Sequence, residues 1–127
     1  MITENYVSFE TAKLLKEKGF ECATLHYYYD KDGDLLFSAW RVDASKNEFG
    51  APTLQMVMKW LREVHKIHIS VMIGFDVDNP QYYFFNPSVS RFSNKSGEYE
   101  TPFGEKEFNT YEEAAEAAIK YCVENLT

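Results

Sequence analysis

The sequence has no concentrated positive charge. Thirteen Lys and Arg stand against 20 Asp and Glu, a formal charge of −7. Its densest basic run, Lys59, Arg62 and Lys66, is spaced as the wet side of a helix. A chain that grips a nucleic-acid backbone normally shows a basic patch, so no such binding is expected. No apolar run approaches the roughly 18 residues that a membrane span needs. Met1-Ile2-Thr3-Glu4 runs into polar sequence without an apolar leader. Cysteine is scarce: Cys22 and Cys122 lie near opposite ends without metal-type spacing, which reads as buried thiols in a reducing cytoplasm. The six glycines are scattered, so no phosphate-cradling loop exists, and GxSxG, HExxH and CxxC do not occur. These absences leave a cytoplasmic, single globular domain over residues 1–127, with no cofactor, metal or membrane contact expected. That length buries about two thirds of the unfolded surface.

What is present is aromatic. Phe, Trp and Tyr make up 17% of the chain, concentrated in Tyr27-Tyr28-Tyr29 and Tyr82-Tyr83-Phe84-Phe85. Such runs fill a small core or line a sheet, and they also raise an exposed aromatic surface as a possibility. The strongest pattern is APTLQMVMKWLREVHKIHISVMI, residues 51–73. Pro52 suits a first helical turn. Leu54, Val57, Met58, Leu61 and Val64 then recur at helical spacing, with Met56 and Trp60 along one flank. The period changes at Ile67, after which Ile67, Ile69, Val71 and Ile73 alternate with His68, Ser70 and Met72, as in a half-buried strand.

Around this unit the chain reads simply. Ser8 caps a short helix with Phe9, Ala12 and Leu15 inward; Gly19 ends it, and Phe20 folds back on Leu15. Residues 22–29 and 34–42 form a hairpin about Asp30-Lys31-Asp32-Gly33. Residues 43–50 are a polar loop. Residues 81–86 are a fourth strand, and a further short hairpin is placed around Asn94-Lys95-Ser96-Gly97. Thr110 and Glu113 make a capping box for a last helix with Tyr111, Ala114, Ala115, Ala118 and Cys122 on one face, and Glu112, Glu116 and Lys120 toward water. The expected fold is α+β: an antiparallel four- to five-stranded sheet with three helices packed mainly on one face, in the order α-β-β-α-β-β-α.

The segments YVSFETAKLLKEKGFE (6–21), APTLQMVMKWLREVHKIHI (51–69) and NTYEEAAEAAIKYCVENL (109–126) resemble a family of small uncharacterised proteins. Phages, prophages and mobile elements of anaerobic gut bacteria encode them. The resemblance covers the three helices, close to half the chain, and implies a phage or mobile-element origin. It brings no activity and no catalytic residue with it.

Metal and catalytic readings are weak. Asp30, Asp32 and Asp34 imitate the start of a calcium loop, but Leu35 stands where the turn glycine belongs and Arg41 where the closing carboxylate belongs. His65 and His68 straddle the change of period, so their rings diverge, and nothing completes a site. Cys22 and His26 are about 13 Å apart along a strand, too far for a dyad. One constellation has a use. If Leu25, Tyr27 and Tyr29 face the helices, His26 and Tyr28 face away. Trp40, His68 and Tyr83 can join them on an amphipathic sheet face suited to stacking and hydrogen bonding. A dimer interface, or a layer covered by residues 87–108, is the plainer account of such a face. The leading reading is a small non-enzymatic binding protein that acts on a protein partner, with a homodimer open. Two alternatives stand beside it. One is sequestration of a small nucleotide-like ligand on the aromatic face. The other is a small enzyme with His26 or His68 as general acid–base.

Overall fold

The computed structural model describes residues 4–20, 25–38, 49–79, 81–92, 97–100, 103 and 106–127. Three helices follow the apolar spacing of the sequence. The first, α1 (Phe9–Glu17), starts where the Ser8 hydroxyl accepts the Thr11 N–H. It stops where Gly19 takes a φ of 81° that a side chain would resist. There Gly19 N–H donates to the Lys16 carbonyl and Phe20 N–H to that of Leu15, closing the orphan end of the helix. The second, α2 (Leu54–His65), is capped by Thr53, whose hydroxyl accepts the Met56 N–H. Pro52 therefore lies ahead of the cap rather than in the first turn, and its carbonyl accepts the Val7 N–H. The third, α3 (Tyr111–Asn125), is capped by Thr110, whose hydroxyl accepts the Glu113 N–H, one half of the expected capping box.

The sheet is not single. Strands β1 (Tyr27–Tyr29), β2 (Leu35–Phe37) and β3 (Phe49–Gly50) form one antiparallel sheet in the order β2-β1-β3. Strands β4 (Ile67–Phe75), β5 (Tyr83–Phe92) and β6 (Gly97–Glu100) form another, in that order. Among the described residues the single four- to five-stranded sheet expected above is thus replaced by two sheets of three. The reason lies in β3, read above as part of a polar loop: it occupies the second edge of β1, pairing Tyr28 with Gly50 and Tyr29 with Phe49, so β4 cannot add there. Among the described residues the strands of the first hairpin cover Tyr27–Tyr29 and Leu35–Phe37, with Gly33 at a φ of 85° in the turn while one Asp30 carboxylate oxygen accepts the N–H groups of Asp32 and Asp34. Residues 21–24 and 39–48, which carry the rest of that expected hairpin and loop, lie outside the described residues.

The second hairpin is longer than expected. β5 runs through Pro87, which pairs with Val71. Phe85 exchanges both backbone hydrogen bonds with Phe108, on the side away from β4. By alternation Pro87 turns its missing donor to that same side, between Phe108 and the start of the β6 pairing at Val89, where a ladder bond is least needed. The short hairpin placed near Asn94 is present as β5–β6, with Phe92 opposite Gly97.

The core gathers Leu15 of α1; Leu54, Val57, Met58 and Leu61 of α2; Ala115, Ala118, Ile119, Cys122 and Val123 of α3; and Ile67, Ile69 and Val89 of the second sheet. Full burial of each large aliphatic side chain here is worth about 1.5–3 kcal/mol. The alanines of α3 let that helix lie close to β4 and β5. Trp60 is half-buried at the flank, edge-on to Phe20 at 5.3 Å. Val64 departs from the pattern: it sits on the last turn of α2, past the cover that its stripe enjoys, and is exposed. Among the described residues no helix is long and apolar enough to cross a membrane.

Candidate functional site

The division into two sheets separates the four described residues of the five grouped by sequence. His26 is exposed just before β1, and Tyr28 is half-buried within it. His68 is exposed on β4, while Tyr83 opens β5 opposite Phe75. Ile67, Ile69, Val71, Ile73 and Phe75 share one face, so Tyr83 lies on the helix side of the second sheet and His68 on the other. Trp40 lies outside the described residues. His26 and Tyr28 thus share a sheet, whereas His68 and Tyr83 share neither that sheet nor a face with each other. The far face of the second sheet carries Ser70, Ser88, Ser90 and Asn86 beside His68 and Met72. Phe84, paired with Gly74, lies on it too, so this face mixes polar side chains with an aromatic ring. His65 turns instead to Trp60, ring centroids 4.6 Å apart, so the two histidines diverge as their spacing indicates.

What the fold does assemble is an aromatic groove at the first sheet. Glu4, Tyr6, Leu25, His26, Tyr27, Phe37, Ala51, Thr53 and Met56 line a depression of about 220 Å³. The cross-strand pair Tyr27–Phe37 places those rings 5.2 Å apart. Tyr6 closes the stack at 4.6 Å from Tyr27, carried there by the bridge between Tyr6 and Thr53. His26 lies 6.0 Å from Phe37, and its Nδ1 is 3.0 Å from the Ser38 carbonyl oxygen, which orients the ring. The Tyr6 phenol is held above its ordinary pKa, first by loss of hydration and then by the neighbouring Tyr27 and Glu4. It stays neutral, a donor and acceptor at the rim. The described lining holds one carboxylate, Glu4, and neither Lys nor Arg. That composition suits apolar and hydrogen-bonding contacts and offers little to a phosphate.

Beyond the groove, β2 exposes all three of its residues, Leu35, Leu36 and Phe37, the last at 63%. Successive residues of a strand point to opposite faces, so both faces of this edge are apolar. Tyr28 lies across from Leu36, on the other face from Tyr27 and Phe37. Sequence reasoning found His26 here but missed Tyr6, Tyr27 and Phe37. Alternation alone turns Tyr27 toward the helices, and the available signal is the Leu35-Leu36-Phe37 run, an apolar stretch in a hairpin with no polar alternation.

A larger cleft of about 490 Å³ runs between α1 and α3, past Ser8, Glu10, Glu112, Glu113, Glu116 and Lys120. Its chemistry is taken up by holding the helices together. Glu116, expected to face water, instead accepts the Ser8 N–H at 3.0 Å and the Thr11 hydroxyl at 2.7 Å, so α3 caps α1. Lys120 bonds Glu10 at 2.9 Å, which raises the pKa of its ammonium group. Among the described residues no group of three or more His, Cys, Asp and Glu side chains is placed to hold a metal ion. Comparison with protein-family models, with curated proteins and with solved structures found no match to this chain.

Proposed function

We propose that this chain is a small binding protein that acts by contact with another protein, made through the first sheet, and not by catalysis. The observation that carries the reading is the edge strand β2, whose Leu35, Leu36 and Phe37 are all exposed beside the Tyr6–Tyr27–Phe37 stack. An edge strand is normally blunted by charge or proline. This one has neither within its three residues, and aromatic side chains of this kind serve as binding anchors. The absence of Lys and Arg from the described lining favours a protein over a nucleotide-like ligand. A phage or mobile-element origin, as the helical segments imply, makes the partner a host or phage protein.

The test is a photo-crosslinking residue placed at position 37 and activated in the native cell. One discrete protein adduct is expected, lost when Leu35→Ser and Tyr27→Ser are added. Phe37→Ser should lose the same partner from an otherwise intact chain. Diffuse labelling, or an adduct indifferent to those changes, overturns the proposal. Release of an ultraviolet-absorbing small molecule from the denatured protein would replace it with the ligand-sequestering reading.

A further inference from the structure

The second sheet ends in an edge of another kind. β4 is its outer strand, nine residues long, and among the described residues nothing pairs with its free side. The direction of its backbone groups follows from the ladder. Phe85 turns its N–H and carbonyl to Phe108, so its partner Ile73 is turned away from β5. Asp76 N–H, by contrast, donates across the hairpin to the Tyr82 carbonyl. By alternation Ile67, Ile69, Val71, Ile73 and Phe75 all present N–H and carbonyl groups to the open edge. The sequence IHISVMIGF contains no Lys, Arg, Asp, Glu or Pro, so none of the usual devices against strand addition is present.

We propose that this edge pairs with the same edge of a second copy of the chain, antiparallel about a two-fold axis at Val71. A two-fold pairing requires each strand to meet its own sequence reversed. With Val71 opposite itself, Ile69 meets Ile73 of the second copy and Ile67 meets its Phe75, so one face is a continuous apolar row. Ser70 meets Met72 and His68 meets Gly74 on the other face. All nine residues are used. The next position at each end sets Lys66 opposite Asp76 of the second copy, and this happens twice. Shifting the axis by one residue either way leaves part of the strand unpaired.

A second observation agrees. The helices of one chain cover only the first half of β4. Ile67 and Ile69 are buried and Val71 is half-buried, while Ile73 is 52% exposed and Phe75 60%. The pairing lays those two exposed side chains beside Ile69 and Ile67 of the second copy, where that copy's own helices provide cover. It also brings the end of α2, with exposed Val64, to the end of the other β4, where Val77 is 95% exposed. The apolar side chains that one chain leaves in water thus collect along one line. This inference goes beyond the binding role proposed above: it uses a different sheet, and either can fail without the other.

Light scattering of the purified chain should give twice the chain mass at about 100 µM, the concentration range of a modest interface. Ile73→Lys with Phe75→Lys, both at exposed positions, should give the single-chain mass with an unchanged circular-dichroism spectrum. Asp76→Lys should raise the dimer dissociation constant about tenfold by setting like charges together, and adding Lys66→Glu should restore it. The register is read by cysteines in a Cys22→Ser background. Chains with Ser70→Cys mixed with chains carrying Met72→Cys should form a disulfide between them, while neither alone should do so. A single-chain mass at that concentration overturns the proposal. So does a dimer untouched by the lysines, or one whose cysteines crosslink only like with like.

Discussion

The two sheets of this chain are both antiparallel and three strands wide, yet they are held by different means. The second lies under the aliphatic stripes of α2 and α3, with Ile67, Ile69 and Val89 buried against Leu61 and Ile119. The first is fastened by rings: Phe9 of α1 meets Tyr29 at 5.5 Å and Phe49 at 5.7 Å, both edge-on, and the Tyr29 hydroxyl donates to the Val7 carbonyl at 2.6 Å. Aliphatic burial is broad and non-directional, so it carries a strand of nine residues. Ring contacts and one hydrogen bond are local, and they fix β1 while leaving β2 in solvent. The difference separates a part of the molecule built for stability from a part with apolar surface to spare.

The largest effect should come from breaking the aliphatic side. Leu61→Ala removes a fully buried side chain from α2 and should cost about 2–5 kcal/mol through lost transfer energy and the cavity left behind. Chemical-denaturation midpoints measure this, and an unmoved midpoint would detach α2 from the core. The ring-fastened side should yield less. Tyr29→Phe forfeits the bond to Val7, about 1 kcal/mol, and alters the pH dependence. Burial, and then the charge of Glu116, hold the Tyr29 phenol above its ordinary value of 10.0. The folded state therefore favours the neutral phenol. The resulting stability is fully present below that ordinary value and disappears as the pH rises through the higher folded-state value. The native chain should lose stability on that alkaline rise, and Tyr29→Phe should lose less; parallel alkaline limbs would contradict this. Smallest of all, Phe37→Ser should change stability by no more than about 0.5 kcal/mol while abolishing the partner binding proposed for β2. A cost like that of Leu61→Ala would erase the contrast between the sheets.

The parts of this fold legible in the sequence are those with a strong period. Leu54, Val57, Met58 and Leu61 are buried as their spacing requires, and Ile67 and Ile69 as their alternation requires. The caps at Ser8 and Thr110 were readable because a side-chain oxygen three residues before an N–H has one obvious use. The partition into two sheets was not readable. It depends on Phe49 and Gly50, two residues too few to show any alternation, taking the edge of β1. The grouping of His26 and Tyr28 with His68 and Tyr83 failed for that reason, since strand faces were inferred correctly within β4 but joined across a sheet boundary. Tyr83 shows a second cause: its face is set by pairing with Phe75, a long-range fact that local alternation does not contain.

The joint between α2 and β4 is a single residue, Lys66, held in the left-handed conformation at φ 58° with its N–H closing onto the Leu61 carbonyl. Its consequence is kinetic. With almost no loop to close, α2 and β4 meet at little entropic cost, and the next turn brings β5 back within a few residues. α3 has to arrive from the far end of the sequence. The contacts nearest along the chain therefore assemble first, and α3 docks onto a helix–hairpin unit already in place. Leu61→Ala should accordingly slow refolding, whereas Ile119→Ala on α3 should act mainly by speeding unfolding. Stopped-flow folding of the two variants distinguishes this order from simultaneous assembly, in which both would divide their effect between the two rates alike.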